Sequence, residues 1–137
     1  MKKIKIYSAF IIIFLFGTLS IITVLSGCGK VAQWADPITE NILVAMNNSD
    51  YKSFSMNFDD TMKAELSEDA FPSLLSAVTG QVGNYIEGSK KIVGVNIKNE
   101  LITATYNAKF EKSEDVIVEI TFKKIDGQIK VVGLWFK

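Results

Sequence analysis

The sequence predicts an α+β fold: N-terminal helices packed on one face of a curved, four-stranded antiparallel meander. Three observations predict it. Apolar residues recur at helical spacing between residues 38 and 78. The remainder is a series of β-prone runs separated by short turns. Folding those runs back at the turns places apolar residues opposite apolar residues on one face.

The helices are read in order. Asp36-Pro37 offers an N-cap followed by proline at the first helical position, and Ile38, Ile42, Leu43, Ala45 and Met46 supply the apolar stripe. Asn47-Asn48-Ser49-Asp50 ends that helix and caps the next, where Tyr51, Phe54 and Phe58 form one aromatic face. Asp59-Asp60 has two readings, a helix cap or a site for a cation or base. No second acidic cluster at ligand spacing accompanies it, which favours the cap for a short turn carrying Met62 and Leu66. Ser67 or Asp69 caps a further helix bearing Phe71, Leu74, Leu75 and Val78, ended by Gly80 and Gly83.

Four strands follow, over about Lys91–Lys98, Leu101–Phe110, Val116–Lys124 and Gln128–Phe136. Asp126-Gly127 is a strong two-residue hairpin signal and Asn99-Glu100 a weaker one; Glu111 to Asp115 makes a longer link. The implied pairs are Ile97 with Ile102, Val95 with Ala104, and Val93 with Tyr106. They continue with Phe110 and Val116, Ala108 and Val118, and Tyr106 and Ile120. Last come Phe122 and Val131, Ile120 and Gly133, and Val118 and Trp135. Alternation then puts Trp135 inside and Phe136 outside. Ile117, Val132, Leu134 and Phe136 form an apolar group facing away from the helices, either an edge covered by chain or a partner surface.

The first 27 residues have a different character. Lys2, Lys3 and Lys5 precede an apolar stretch from Ile6 to Val24, and Leu25-Ser26-Gly27-Cys28 follows. This resembles the lipobox of bacterial lipoproteins, and the resemblance implies cleavage before Cys28 and a lipid on its thiol. An uncleaved membrane helix and an ordinary signal peptide are the alternatives. The expected organisation is a signal at 1–27, a lipidated tether at 28–35 and one domain at 36–137. The expected location is the outer face of the cytoplasmic membrane. The seven residues after Cys28 reach only about 25 Å when extended, so the domain stays near the bilayer.

Composition narrows the chemistry. From Cys28 onward, 12 lysines face 15 acids, a net charge of −3 with no footprint for nucleic acid. The chain has no His and no Arg, and Cys28 is its single cysteine. That removes the usual general base, the bidentate anion fork and any internal disulfide. No catalytic, metal or cofactor site is expected.

The run Ile42-Leu43-Val44-Ala45-Met46-Asn47, then Asp50-Tyr51, Phe54-Ser55, Phe58-Asp59 and Met62-Lys63, resembles the uncharacterised family called domain of unknown function 3887. Tyr106 to Phe110, Asp126-Gly127 and Val132-Gly133-Leu134-Trp135-Phe136 continue the likeness. Helices followed by a sheet that folds over them resemble the plan of the NTF2-like and cystatin-like folds. The family resemblance carries over no activity.

Three functions are open to such a domain. A binding module would use a pocket between sheet and helices, lined by Phe54, Phe58, Tyr85, Ala104, Tyr106, Ala108 and Trp135. An enzyme would need an acid or base on the inner face, where Tyr106 is the one ionisable group the pairing provides. An interaction subunit would work through Ile117, Val132, Leu134 and Phe136, as a homodimer or beside a membrane protein.

Overall fold

The computed structural model describes residues 29–137. Cys28, its proposed lipid and the signal segment lie outside the described residues. The described residues divide into two units, residues 29–33 and 34–137. In the first, residues 29–33 are helical. The second carries the four-stranded sheet and the helices that cover it.

Helix α1 is already helical at residue 29 and ends at residue 47. Asp36-Pro37 is therefore not a helix start, and residues 29–35 are helical. Pro37 sits in the helix interior and cannot donate to the carbonyl four residues back. Burial explains why the helix persists through it. Ala35, Thr39, Ile42, Leu43, Ala45 and Met46 are all buried, and the aromatic ring of Trp34 meets Phe122 edge-on at 4.8 Å. Tertiary packing of that stripe outweighs the lost bond.

Helix α2 (Tyr51–Phe54) is capped by Asp50, whose carboxylate accepts from Ser53 N. Helix α3 (Asp60–Glu65) is capped by Asp59, which accepts from Met62 N at 2.8 Å. The Asp59-Asp60 pair therefore caps, as the cluster-free sequence suggested. Helix α4 (Phe71–Val82) has Ala70 at its N-cap position without a side-chain bond. Ser67 caps the turn before it, accepting from Ala70 N. Gly80 lies within α4, and Gly83, at φ 77°, ends it.

The sheet is an antiparallel meander, β1 (Lys91–Lys98), β2 (Leu101–Phe110), β3 (Ser113–Ile125) and β4 (Gln128–Phe136), in that spatial order. Asn99-Glu100 and Asp126-Gly127 are two-residue turns with positive φ at both positions, the geometry that matches strand twist.

Three departures from the expected register matter. Ile92, not Val93, faces Tyr106, because a bulge at Val93 turns that side chain out to solvent. β2 and β3 slide by two residues, so Ala108 faces Val116 and Tyr106 faces Val118. The turn is only Glu111-Lys112, pinned where Glu111 N donates to Asn84 O and Lys112 N to Val82 O. A two-residue slide keeps every face. The third departure does not. A bulge at Val132 leaves Phe122 opposite Val131 but puts Thr121 opposite Gly133 and Glu119 opposite Trp135. One extra residue inverts the rest of β4. Leu134 and Phe136 turn inward and Trp135 turns outward, half-exposed. The bulge lies where the segment before α3 pairs with β4: Val131 N donates to Asn57 O and Asp59 N to Val131 O.

The core lies between helices and sheet. Phe54 is its aromatic centre, 4.9 Å from Phe58 and 4.6 Å from Phe71 between ring centroids.

Candidate functional site

Six of the seven expected pocket residues, Phe54, Phe58, Tyr85, Ala104, Tyr106 and Ala108, are buried on the inner side. They pack against one another, with ring-to-ring contacts at Phe54–Phe58 and Tyr85–Phe110. Trp135 is on the other face. The expected interface group is divided: Leu134 and Phe136 face inward, Ile117 lies opposite Asn107 on the outer face, and Val132 is the bulged residue.

An open space does exist, one step away. A groove of about 370 Å³ runs between α4 and the far end of the sheet. Leu74, Ala77, Val78 and Val82 line its helical wall, and Val116, Leu134 and Phe136 its sheet wall. Gln81 and Lys137 sit at its rim. Phe136 is braced edge-on by Phe110 at 6.4 Å. Leu74 and Val78 of the helical wall and Val116 of the sheet wall were visible in the sequence, whereas Ala77 and Val82 fell outside the α4 stripe. Leu134 and Phe136 were not visible, because the bulge that turns them inward leaves no mark in the apolar pattern.

A polar cluster lies where α1 crosses the sheet. Asp36 accepts from the Tyr106 hydroxyl at 2.6 Å. Glu40 accepts from the Tyr85 hydroxyl at 2.8 Å and from Gly88 N at 2.8 Å, and pairs with Lys90 at 3.2 Å. Lys90 Nζ also stands 5.6 Å above the Tyr106 ring, joining the two halves. Asn47 fixes the Tyr85 backbone in both directions. The Thr39 hydroxyl is turned toward Tyr106 without hydrogen-bond geometry, and is a buried polar atom without a partner.

The electrostatics follow from these partners. Burial pushes the Tyr106 phenol well above its ordinary value, and the Asp36 carboxylate adds to the rise. Burial, then the bond to Glu40, pushes Tyr85 up to about 12. Partial burial alone would raise Glu40, but the bonds from Tyr85, Gly88 and Lys90 outweigh it and hold the carboxyl below its ordinary range. Both phenols are thus neutral donors near neutral pH, each bound to a carboxylate. Sequence reasoning found Tyr106 and Tyr85 but missed Asp36, Glu40 and Lys90. Asp36 could not be read correctly while it was taken for a helix cap.

Residues 39–134 match the family described as a protein of unknown function (DUF3887). No curated protein matches the chain. With that match spanning most of its length, the chain belongs to the DUF3887 family.

Proposed function

We propose that this member of the DUF3887 family is a binding module held by a lipid on Cys28 at the outer face of the cytoplasmic membrane. Its helix-over-meander plan supports an NTF2-like or cystatin-like scaffold that has kept the shape without an active site. The α4 groove carries the reading: it is apolar, open to solvent and within the range of about 300–1,000 Å³ of ordinary ligand sites. Its occupant in this proposal is an apolar segment of a neighbouring membrane protein. The absence of a catalytic role is supported by the polar cluster, whose carboxylates and phenols are bound to one another. A homodimer is the second reading, since Leu134 and Phe136 keep apolar surface at the groove.

The test has two arms. The full chain expressed in a bacterium is labelled with palmitate beside Cys28→Ala; equal label on both removes the anchor. Purified protein is titrated with a neutral apolar naphthylamine dye, beside Ala77→Trp, which fills the groove from its exposed helical wall. Saturable binding lost in the variant, with an unchanged melt, supports the groove. Dye binding that survives the filling removes it, and a doubled mass in light scattering that Ala77→Trp halves assigns the groove to a second copy.

A further inference from the structure

The outer face of the sheet is a grid whose rows the register defines. One row, crossing from β1 to β4, reads Lys98, Leu101, Lys123, Lys130. The next reads Asn96, Thr103, Thr121, Gly133, and the one after it Gly94, Thr105, Glu119, Trp135. Four features of this grid ask for an explanation that the fold does not supply.

Lys123 and Lys130 are direct cross-strand partners, an arrangement that repels. Among the described residues the ion pairs are Lys90–Glu40 and Lys137–Glu119, so Lys98, Lys123 and Lys130 are in none of them. The whole face concentrates charge. Lys91, Lys98, Lys109, Lys123, Lys130 and Lys137 stand against Asp115 and Glu119, although the chain from Cys28 onward is net negative. Residues 50–69 of the helical layer hold six acids and two lysines, so the domain is polarised from one layer to the other.

Trp135 supplies the third feature. A Cβ on Gly133 would collide with the Trp135 Cη2 atom. The six-membered ring therefore occupies the space over Gly133, in the row next to the lysines. Glycine is required there so that the indole can lie along the sheet, and the ring remains 50% exposed. The fourth feature is a hollow of about 330 Å³ on the same two rows at the β1–β2 end, lined by Asn96, Lys98, Asn99, Leu101 and Thr103. It lies two to three strands from the indole, roughly 10–14 Å at about 4.8 Å per strand.

We propose that this face binds an anionic glycan. The lysine row receives the negative groups, the indole stacks a sugar ring, and Asn96, Thr103 and Thr121 meet hydroxyls. The spacing between hollow and indole fits a chain of rings rather than one sugar. Lysine suits dispersed single charges, because it is a point donor without the two-pronged geometry of arginine. An indole laid along the strands is a stacking platform; it does not project as a wedge would to enter a bilayer. The lysine row, the hollow and the indole share no lining residue with the groove, so either assignment stands without the other.

The full chain in neutral detergent is titrated calorimetrically with hexagalacturonate, maltohexaose, tripolyphosphate and soluble dihexanoyl-phosphatidylglycerol. The expected result is hexagalacturonate binding at least about tenfold tighter than the other three, a margin of about 1.4 kcal/mol. Trp135→Ala weakens it about tenfold, as loss of a stacked ring does. Lys123→Gln with Lys130→Gln weakens it by a similar factor and flattens its salt dependence. Lys52→Gln with Lys63→Gln, on the helical layer, leaves it unchanged. Absence of hexagalacturonate binding overturns the proposal. Equal binding of tripolyphosphate makes the face a bare anion site, and equal binding of the lipid makes it a membrane contact; either result overturns it too. So does a Trp135→Ala chain that binds like wild type while its melt is retained.

Discussion

Removing the Tyr106 hydroxyl tests the central correction made by the structure, that Asp36 is a tertiary partner and not a helix cap. The Tyr106 ring is fully buried and stays in place in Tyr106→Phe, so the core loses no volume. What is lost is a 2.6 Å bond to a carboxylate. Hydrogen bonds to charged groups contribute about 1.5–3 kcal/mol, and a partly solvated acceptor belongs at the lower end. The expected cost is about 1.5–2 kcal/mol. With a urea slope of roughly 1–3 kcal/mol/M, the midpoint falls by about 1 M. Asp36→Ala alone decides nothing, because losing an N-cap costs about 0.5–2 kcal/mol and gives the same answer. The double variant decides. If the two groups bond each other, the losses overlap and the coupling is about 1–2 kcal/mol. A cap has no reason to sense residue 106, and the losses then add. Additivity within about 0.5 kcal/mol, from urea unfolding of the four proteins followed by circular dichroism, would refute the pairing and return Asp36 to a local role.

Phe54→Ala is expected to cost about 3–5 kcal/mol in the same assay, because it empties the centre of the aromatic cluster; a loss under about 1 kcal/mol would contradict that placement. Trp135→Ala is expected to cost under about 2 kcal/mol, since half of the ring is already in water and transfer contributes about 25 cal/mol per Å²; a core-sized loss would restore the inward assignment. Tyr85 and Tyr106 have raised folded values, so their contribution is complete below the ordinary tyrosine value of 10. It is lost as pH climbs from there through about 12, because the unfolded phenols ionise first. Midpoints measured across that window should fall in wild type, and fall less steeply in Tyr85→Phe with Tyr106→Phe.

The sequence alone determined most of the elements and the antiparallel order of the strands, but only those registers that lie close to the two-residue turns. Helical spacing located the apolar face of α1 and the α4 stripe. Asp50 and Asp59 cap as read, because a carboxylate three residues ahead of a free N–H acts within one turn. Asn99-Glu100 and Asp126-Gly127 gave two hairpins, and every register position next to such a turn is right, as with Ile97 and Ile102 or Phe122 and Val131. These are local effects, carried by neighbouring residues.

The tertiary structure decided the rest. Pro37 reads as a beginning in isolation, and only burial of Ala35 and Trp34 packing on Phe122 keep the helix running through it. The bulge at Val132 arises where residues 57–59, distant in sequence, bond to β4. That one extra residue exchanges Trp135 for Phe136 across the sheet and so builds both the groove and the Trp135 face. Alternation is a parity rule: it carries the right answer along a strand until one residue fails to pair. Whether one does is settled by what lies alongside, and the strand's own sequence does not contain that.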